Sequence, residues 1–405
     1  MKVTVVGLGY VGVPILVHAA EAGYIVKGFD IDENKIKNLK EGTLETPDVV
    51  SSRIKKLLVQ GKISFSSNIH DHSESTIFII AVPTPLNEFN QPDLKYVISA
   101  CESISKITKD GDLIINESTS YIGTLRNLIK PTIEQLSTKK NIEYASAPER
   151  IDPGNLIWNI KNTPRIISGL SEDATKSAVK FYSNFCDSII TVSQPEVAEA
   201  SKLFENTFRQ VNIALVNELS EIAAALNFSA HESIIAATSK PFGYMPFYPS
   251  IGVGGHCIPV DPVYLKFNAD NLGIKLPIIE SSNKANSIRP QIIAEKMRIE
   301  LGGSLSNKKI QVAGIAYKKN TSDIRESPAI KLINELRRLG ASVSWSDPVV
   351  INYNGETSKP LDAGIDVGII VTPHSNFDFD IWKKSLIRVF DLSTGVENFG
   401  WKKFF

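Results

Sequence analysis

Hydrophobic positions in this chain gather into short apolar runs separated by longer stretches of mixed, helix-compatible sequence. Val3-Thr4-Val5-Val6 reads as a buried strand that runs into glycines and then a helical stretch through Ala22. A second strand is expected over residues 24–29, ending at Asp30, with others at 76–82, 113–116 and 141–145. Each is followed by polar, turn-forming or helical sequence, and strands alternating with helices imply a parallel sheet. The same rhythm returns as a strand at 308–316, a helix around 330–339, and strands at 341–345, 366–371 and 388–392. Between the two regions, residues 196 to about 226 contain no Gly or Pro and place apolar residues at Leu203, Ile213, Leu215, Val216, Leu219 and Ile222. This predicts one helix of roughly 30 residues, where about 11–12 is usual. Such a helix could span between two sheets and pack against a symmetry mate. The expected fold is α/β, with two Rossmann-like doubly wound parallel sheets joined by a long central helix, divided as 1–195, 196–300 and 301–405.

Length and charge narrow the class. At 405 residues the chain exceeds the size at which one hydrophobic core stops growing, so two or three domains are expected. Forty-four basic and forty-four acidic residues cancel, which argues against a nucleic-acid footprint. No run approaches the ~20 apolar residues of a membrane span, and Met1 leads straight into a strand without the basic and apolar regions of a secretory signal. Cys101, Cys186 and Cys257 are odd in number and widely spaced. That fits a reduced cytoplasmic protein better than a disulfide framework or a zinc site. Small-molecule partners are expected, with no nucleic acid, membrane or metal.

Candidate chemistry lies at the strand ends. Gly7-Leu8-Gly9-Tyr10-Val11-Gly12 is G-x-G-x-x-G in its required strand-to-helix context, and Asp30 follows Gly12 by eighteen residues, near where a ribose-binding carboxylate belongs. Gly7 would make the tight turn and Gly9 admit a pyrophosphate, while the helix start supplies amides and the positive dipole end. A carboxylate at Asp30 would repel a ribose phosphate, favouring NAD over NADP. Ligands in such sheets meet the carboxyl ends of strands, so Thr84, Glu117-Ser118-Thr119 and Ala147-Pro148-Glu149-Arg150 should open onto the crevice. Thr84 and Thr119 suit helix N-capping equally well. Lys202, Asn206 and Arg209 share one face of the long helix, either as a solvated polar stripe or as a site. Lys318, Lys319 and Arg325 follow a strand of the second region and could meet phosphates or simply lie in a solvated loop. Most informative is Gly252-Val253-Gly254-Gly255-His256-Cys257-Ile258-Pro259-Val260-Asp261-Pro262, a thiol in a glycine-rich loop with a carboxylate four residues on. Glycines there suggest close approach of a ligand to a nucleophile; the alternative is a turn around a buried, inert cysteine.

Five segments in order resemble the UDP-sugar 6-dehydrogenases: the Gly7 to Gly12 fingerprint, Pro148-Glu149-Arg150, Lys202-Leu203-Phe204-Glu205-Asn206-Thr207, the thiol loop and Asp323-Ile324-Arg325-Glu326-Ser327. The resemblance implies an N-terminal NAD-binding domain, a central helical dimerisation region carrying the cysteine loop, and a C-terminal domain for the UDP-sugar. It implies four-electron oxidation of a sugar C6 alcohol to a carboxylate, in the service of surface polysaccharide precursors. In that chemistry a thiolate traps the aldehyde as a thiohemiacetal, whose oxidation gives a thioester that water hydrolyses; a one-step alcohol dehydrogenase needs no nucleophile. By resemblance, Cys257 is the nucleophile, Lys202 and Asn206 stabilise the oxyanion or hold water, and Asp261 assists proton transfer. Thr119 and Glu149 join them, Glu149 as a candidate base for thioester hydrolysis. The cofactor would meet Gly7, Gly9, Tyr10, Val11, Gly12, Asp30, Lys35, Thr84, Thr119 and Arg325. The UDP-sugar would meet Glu149, Arg150, Lys202, Asn206, Arg209, Tyr248, Gly254 and Lys318.

One position departs from the UDP-glucose enzymes, which carry a second glutamate where this chain has Pro153; Asp152 is the neighbouring carboxylate. That segment looks like the branch acting on UDP-N-acetylhexosamines. Residues 240–249 and Glu205-Asn206-Thr207-Phe208-Arg209 are similar to the UDP-N-acetylglucosamine 6-dehydrogenases, which makes UDP-N-acetylglucosamine the favoured substrate. UDP-N-acetylmannosamine, UDP-glucose and a non-catalytic NAD-binding scaffold are the alternatives.

Overall fold

The computed structural model describes residues 1–43, 49–152, 155, 157–385, 387–394 and 397–405, so Pro153 lies outside the described residues. Two compact units emerge, Met1–Glu205 with Val263–Ile274, and Asn206–Pro262 with Lys275–Phe405.

The first unit is built on β1 (Lys2–Val6), β2 (Ile25–Phe29), β3 (Ile63–Ser66), β4 (Ile77–Ile80), β5 (Leu113–Asn116), β6 (Glu143–Ser146), β7 (Arg165–Gly169) and β8 (Ile189–Thr191). They form one sheet in the order β3-β2-β1-β4-β5-β6-β7-β8. Pairing is parallel except between β6 and β7. Continuous apolar runs form these strands because both faces are covered: Val3, Val5, Ile77, Ile79 and Ile115 enter one core, while Val6, Phe78, Ile80 and Ile114 enter another. The order reverses between β1 and β4, which places the crevice at the carboxyl ends of those strands. β3, β7 and β8 were not foreseen; β7 opens on a charged residue, and β8 is largely exposed.

The second unit carries β9 (Lys309–Ala313), β10 (Ser342–Ser346), a small hairpin of β11 (Asn352–Tyr353) and β12 (Glu356–Thr357), then β13 (Val367–Ile370) and β14 (Arg388–Asp391). Its main sheet is parallel in the order β10-β9-β13-β14, as expected from the four apolar runs. The turn after β9 repeats the one after β1. Gly314 has φ +86° and its N–H meets Ser346 O at 2.8 Å, as Gly7 meets Phe29 O at 2.9 Å with φ +94°. Asp347, at the place of Asp30, spends its carboxylate on the N–H groups of Ile315, Ala316, Val349 and Val350 and on His374. Since Nδ1 of His374 accepts from Asn320 N–H, Nε2 is the donor to Asp347. The second turn is thereby stitched shut, and no acceptor is left for a ribose.

The long helix is Pro195–Leu226, with Pro at its start, where a missing N–H costs nothing. Its first part belongs to the first unit, where buried Glu199 accepts from Gly123 N–H at 2.6 Å and Leu125 N–H at 3.0 Å, and burial raises its pKa to about 7. From the middle stretch, Ile251 and, on the helix Pro277–Glu300, Ile293, Ala294 and Met297 join the core of the second sheet. On the long helix Leu203, Ala214, Val216 and Ala223 are buried, while Phe204, Phe208, Leu215, Ile222 and Leu226 stand exposed at spacings of four and seven residues. Among the described residues, no helix is long and apolar enough to cross a membrane.

Candidate active site

The turn Gly7-Leu8-Gly9 uses each glycine differently. A Cβ on Gly7 would lie 2.5 Å from the Ala81 carbonyl oxygen, and one on Gly12 would lie 1.9 Å from that of Gly7. Around Gly9 nothing would stand within 4 Å. Two glycines close the turn while the middle one leaves an open approach, as a pyrophosphate requires. The helix Gly12–Glu21 starts after Val11 with no side-chain cap, beside exposed Tyr10, so its first amides and dipole end suit an anion. Buried Asp30 accepts from Leu8 N–H at 2.9 Å and Lys35 Nζ at 2.7 Å through Oδ2, and from Asp32 N–H at 3.0 Å through Oδ1. These residues fit a dinucleotide. Lys35 thus pairs with the Asp30 carboxylate.

Thr84 is buried and Thr119 half-buried at the carboxyl ends of β4 and β5. Neither caps a helix, since the nearest helical segments begin after Leu94 and Thr124. The Thr84 carbonyl accepts from Tyr264 Oη at 3.0 Å, and Ser118 Oγ bridges the N–H and carbonyl of Val82 at 2.9 Å each. The two strand ends are thus tied into one rim.

After β6 the chain presents Glu149 in a network that sequence reasoning missed. Oε1 of Glu149 accepts from the N–H groups of Arg150 and Ile151, both at 2.6 Å, and Oε2 from Arg165 Nη2 at 2.8 Å. Arg165 also donates to Glu117 Oε2 at 2.7 Å, and the Tyr182 hydroxyl donates to Oε1 of the same residue. All four side chains are buried. Burial works to raise the pKa of Glu149, but the charge and hydrogen bond of Arg165, the Ile151 N–H and the charge of Lys202 outweigh it and hold the carboxyl below its ordinary range. Burial dominates at Glu117, pushing it up to about 7. A general base needs a free lone pair and a pKa near the working pH. Glu149 keeps one acceptor position, on Oε2 beside Arg165, while its pKa is held down. Arg150 is also engaged, by Glu205 at 2.5 and 3.2 Å and by the Pro164 carbonyl at 2.7 Å. Asp152 is exposed and accepts from Asn155.

In the second unit Cys257 is exposed and in no disulfide. Cys101 and Cys186 are buried, and burial pushes their thiols up to about 12 and about 11. The buried-cysteine alternative therefore describes those two and not Cys257. The Cys257 carbonyl accepts from Val260 N–H at 3.1 Å and Asp261 N–H at 2.9 Å, so the thiol sits on the turn that opens the helix Asp261–Asn271. Asp261 is buried, and its Oδ2 accepts from Asn206 Nδ2 at 2.6 Å. The loop glycines allow close packing within the chain. A Cβ on Gly254 would lie 2.8 Å from Pro328, one on Gly255 2.8 Å from the Tyr317 ring, and one on Gly252 2.9 Å from the Asn286 carbonyl. They let the loop lie flat on residues 317–328, where Gly255 N–H also reaches the Arg325 carbonyl at 2.9 Å. Buried Arg289 and Asn217 hold the loop entrance through the carbonyl and N–H of Ser250.

Lys202 and Asn206 are buried, against the solvated-stripe alternative, which holds only for exposed Arg209. Tyr248 is half-buried and stacks on His231 with ring centroids 5.5 Å apart. Lys318 is half-buried, Lys319 pairs with Glu397 at 3.0 Å, and Arg325 is held by Asp323 at 2.5 Å. Among the described residues no group of three or more His, Cys, Asp or Glu could hold a metal ion.

Three family models match the chain consecutively: the NAD binding domain of the UDP-glucose/GDP-mannose dehydrogenase family over residues 1–186, its central domain over 196–288 and its UDP binding domain over 311–390. The chain belongs to the UDP-glucose/GDP-mannose dehydrogenase family. It is 34% identical to a UDP-N-acetyl-D-mannosamine dehydrogenase of Pyrococcus horikoshii, over 95% of this chain and 92% of that protein. A UDP-N-acetyl-D-glucosamine 6-dehydrogenase of Pseudomonas aeruginosa is 33% identical over 93% of this chain and 91% of its own length. Among solved structures, the Pyrococcus horikoshii UDP-N-acetylmannosamine enzyme superposes with a TM-score of 0.88 at 32% identity, covering 96% of this chain and 95% of that one. Membership makes the chain an NAD-dependent oxidoreductase of UDP-sugars, with NAD on the first sheet and a UDP-binding domain around the second.

Proposed function

We propose that this family member oxidises the C6 alcohol of a UDP-N-acetylhexosamine to the carboxylate through a thioester on Cys257. The observation that carries the reading is the exposed Cys257 on the turn leading to buried Asp261, whose carboxylate is held by Asn206. Bound NAD supplies the hydride acceptor for both oxidations. The Cys257 thiolate adds to the C6 aldehyde, forming the C–S bond of a thiohemiacetal. After the second oxidation, water adds to the thioester carbon and the C–S bond breaks, which frees the uronate and returns the sulfur as thiolate. Lys202 and Asn206 donate to the oxyanion at each tetrahedral stage. Asp261 accepts and returns the proton, and Thr119 lines the rim. Glu149, Arg150, Arg209, Tyr248, Gly254 and Lys318 contribute to substrate binding. Gly7, Gly9, Tyr10, Val11, Gly12, Asp30, Lys35, Thr84 and Arg325 contribute to binding the cofactor. The chemistry needs a reduced Cys257, as in the cytoplasm.

Within the substrate class, the likeness of residues 240–249 and 205–209 to the glucosamine enzymes favours UDP-N-acetylglucosamine. Similarity to the Pyrococcus horikoshii enzyme supports the mannosamine epimer as the second reading. A panel of UDP-N-acetylglucosamine, UDP-N-acetylmannosamine and UDP-glucose, followed by NADH absorbance, is expected to give the highest kcat/KM with the first. A clear preference for UDP-glucose would overturn the subfamily assignment.

The exposed apolar stripe of the long helix, Phe204, Phe208, Leu215, Ile222 and Leu226, supports a homodimer formed through that helix. Leu215→Glu is expected to shift the sedimenting species from dimer to monomer. A wild-type chain that already sediments as a monomer would refute the assignment.

A further inference from the structure

Arg165 stands in none of the motifs that carry the family resemblance, yet it is the cation around which the Glu149 segment is organised. It opens β7, the strand that runs antiparallel to β6, and its guanidinium crosses back over the strand ends. Nη1 reaches Glu117 at 2.7 Å and the Ala147 carbonyl at 3.3 Å, Nη2 reaches Glu149 at 2.8 Å, and the Tyr182 ring lies 4.6 Å from its centre. A planar fork can serve two carboxylates in this way, whereas a lysine ammonium is a point charge that cannot hold both with the same geometry. Each carboxylate oxygen has about two acceptor positions. At Glu149 the Oε1 positions are filled by the Arg150 and Ile151 N–H groups, and one Oε2 position is filled by Arg165. One acceptor position remains, and the Lys202 ammonium is among the charges acting on it.

We propose that Arg165 is a positioning residue for the sugar oxidation: clamped between Glu117 and Glu149, it fixes Glu149 as a permanent anion with one free acceptor that orients Lys202 or water and does not itself take a proton. The inference rests on the reading that Glu149 and Lys202 act on the UDP-sugar. The groups facing Glu149 are Arg165 from β7, Glu117 from the end of β5, Lys202 from the long helix, the buried Cys186 thiol ahead of β8, and the amides of Arg150 and Ile151. The Arg150 guanidinium is turned to Glu205 and Pro164. Glu117 shares the cation with Glu149, and Tyr182 satisfies its remaining oxygen. Removing the clamp leaves Glu149 buried with only Lys202 and two amides to keep it charged, so it should bind a proton at a higher pH.

The test is the pH dependence of kcat in Arg165→Met, Arg165→Lys and Glu149→Gln, with NAD binding by calorimetry as the check on folding. In Arg165→Met, kcat at neutral pH is expected to fall about 10²-fold, the scale of a misplaced catalytic geometry. The acid limb of its profile should rise by roughly 1–3 pH units, the scale of losing an adjacent opposite charge, while NAD affinity stays as in the wild type. Arg165→Lys should fall between wild type and Arg165→Met in both readouts, and it carries the test should the Met variant fail to bind NAD. Adding Glu149→Gln to Arg165→Met should abolish the limb shift. An unmoved acid limb in both Arg165 variants, whatever the loss of kcat, would overturn the proposal while leaving the proposed function standing. Full activity of Glu149→Gln would instead remove Glu149 from the reaction, and the proposal with it.

Discussion

Replacing Cys257 by serine is expected to lower steady-state NADH formation by several orders of magnitude while NAD and UDP-sugar still bind. The substitution changes one exposed atom on the turn before Asp261, and the backbone bonds from Val260 and Asp261 to the Cys257 carbonyl are untouched. A serine hydroxyl is a weak nucleophile without a base to activate it. An ester formed on it would also hydrolyse slowly, so an acyl-enzyme should persist and be visible by intact mass. Cys101 and Cys186 cannot substitute for it, because burial pushes both thiols far above neutral pH. Wild-type turnover in the serine variant would remove the thioester from the mechanism.

The second large effect is expected at Lys202 and Asn206. In the proposed mechanism alanine at either position removes a donor to the developing oxyanion, typically worth ~10²–10³ in rate, and NAD affinity should hardly move. The two variants should differ in stability. Asn206 is also a partner of the buried Asp261 carboxylate at 2.6 Å, so Asn206→Ala removes a hydrogen bond to a charged group, at a cost of about 1.5–3 kcal/mol. A thermal melt set beside kcat and KM therefore separates the roles. Near-normal kcat in either variant would return that residue to a purely structural part in the helix.

Legibility in the sequence followed the range of each interaction. Strand runs such as 113–116 and the Gly7, Gly9 and Gly12 turn are local, and their positions came out close to the observed elements. The burial of Lys202 and Asn206 was not legible, because helical spacing puts residues on one face without saying what covers it. Gly252, Gly254 and Gly255 were legible only in part: a glycine marks close approach without saying of what, and Asn286, Tyr317 and Pro328 of the same chain are among the groups that come close. Arg165 was hidden because a charge at the head of an apolar run looks like a strand end in water. The available signal was that Arg165-Ile166-Ile167 leaves such a charge beside buried neighbours, which demands a paired carboxylate. Which of several glutamates supplies it is decided only by how β7 lies against β6.

The most direct measurement is the number of NADH molecules formed per UDP-N-acetylhexosamine consumed, taken to completion with limiting sugar and the product analysed by mass. The account predicts two NADH and a uronate, with no aldehyde released. One NADH per sugar and a free aldehyde would contradict it, because a two-electron oxidation gives Cys257 nothing to do.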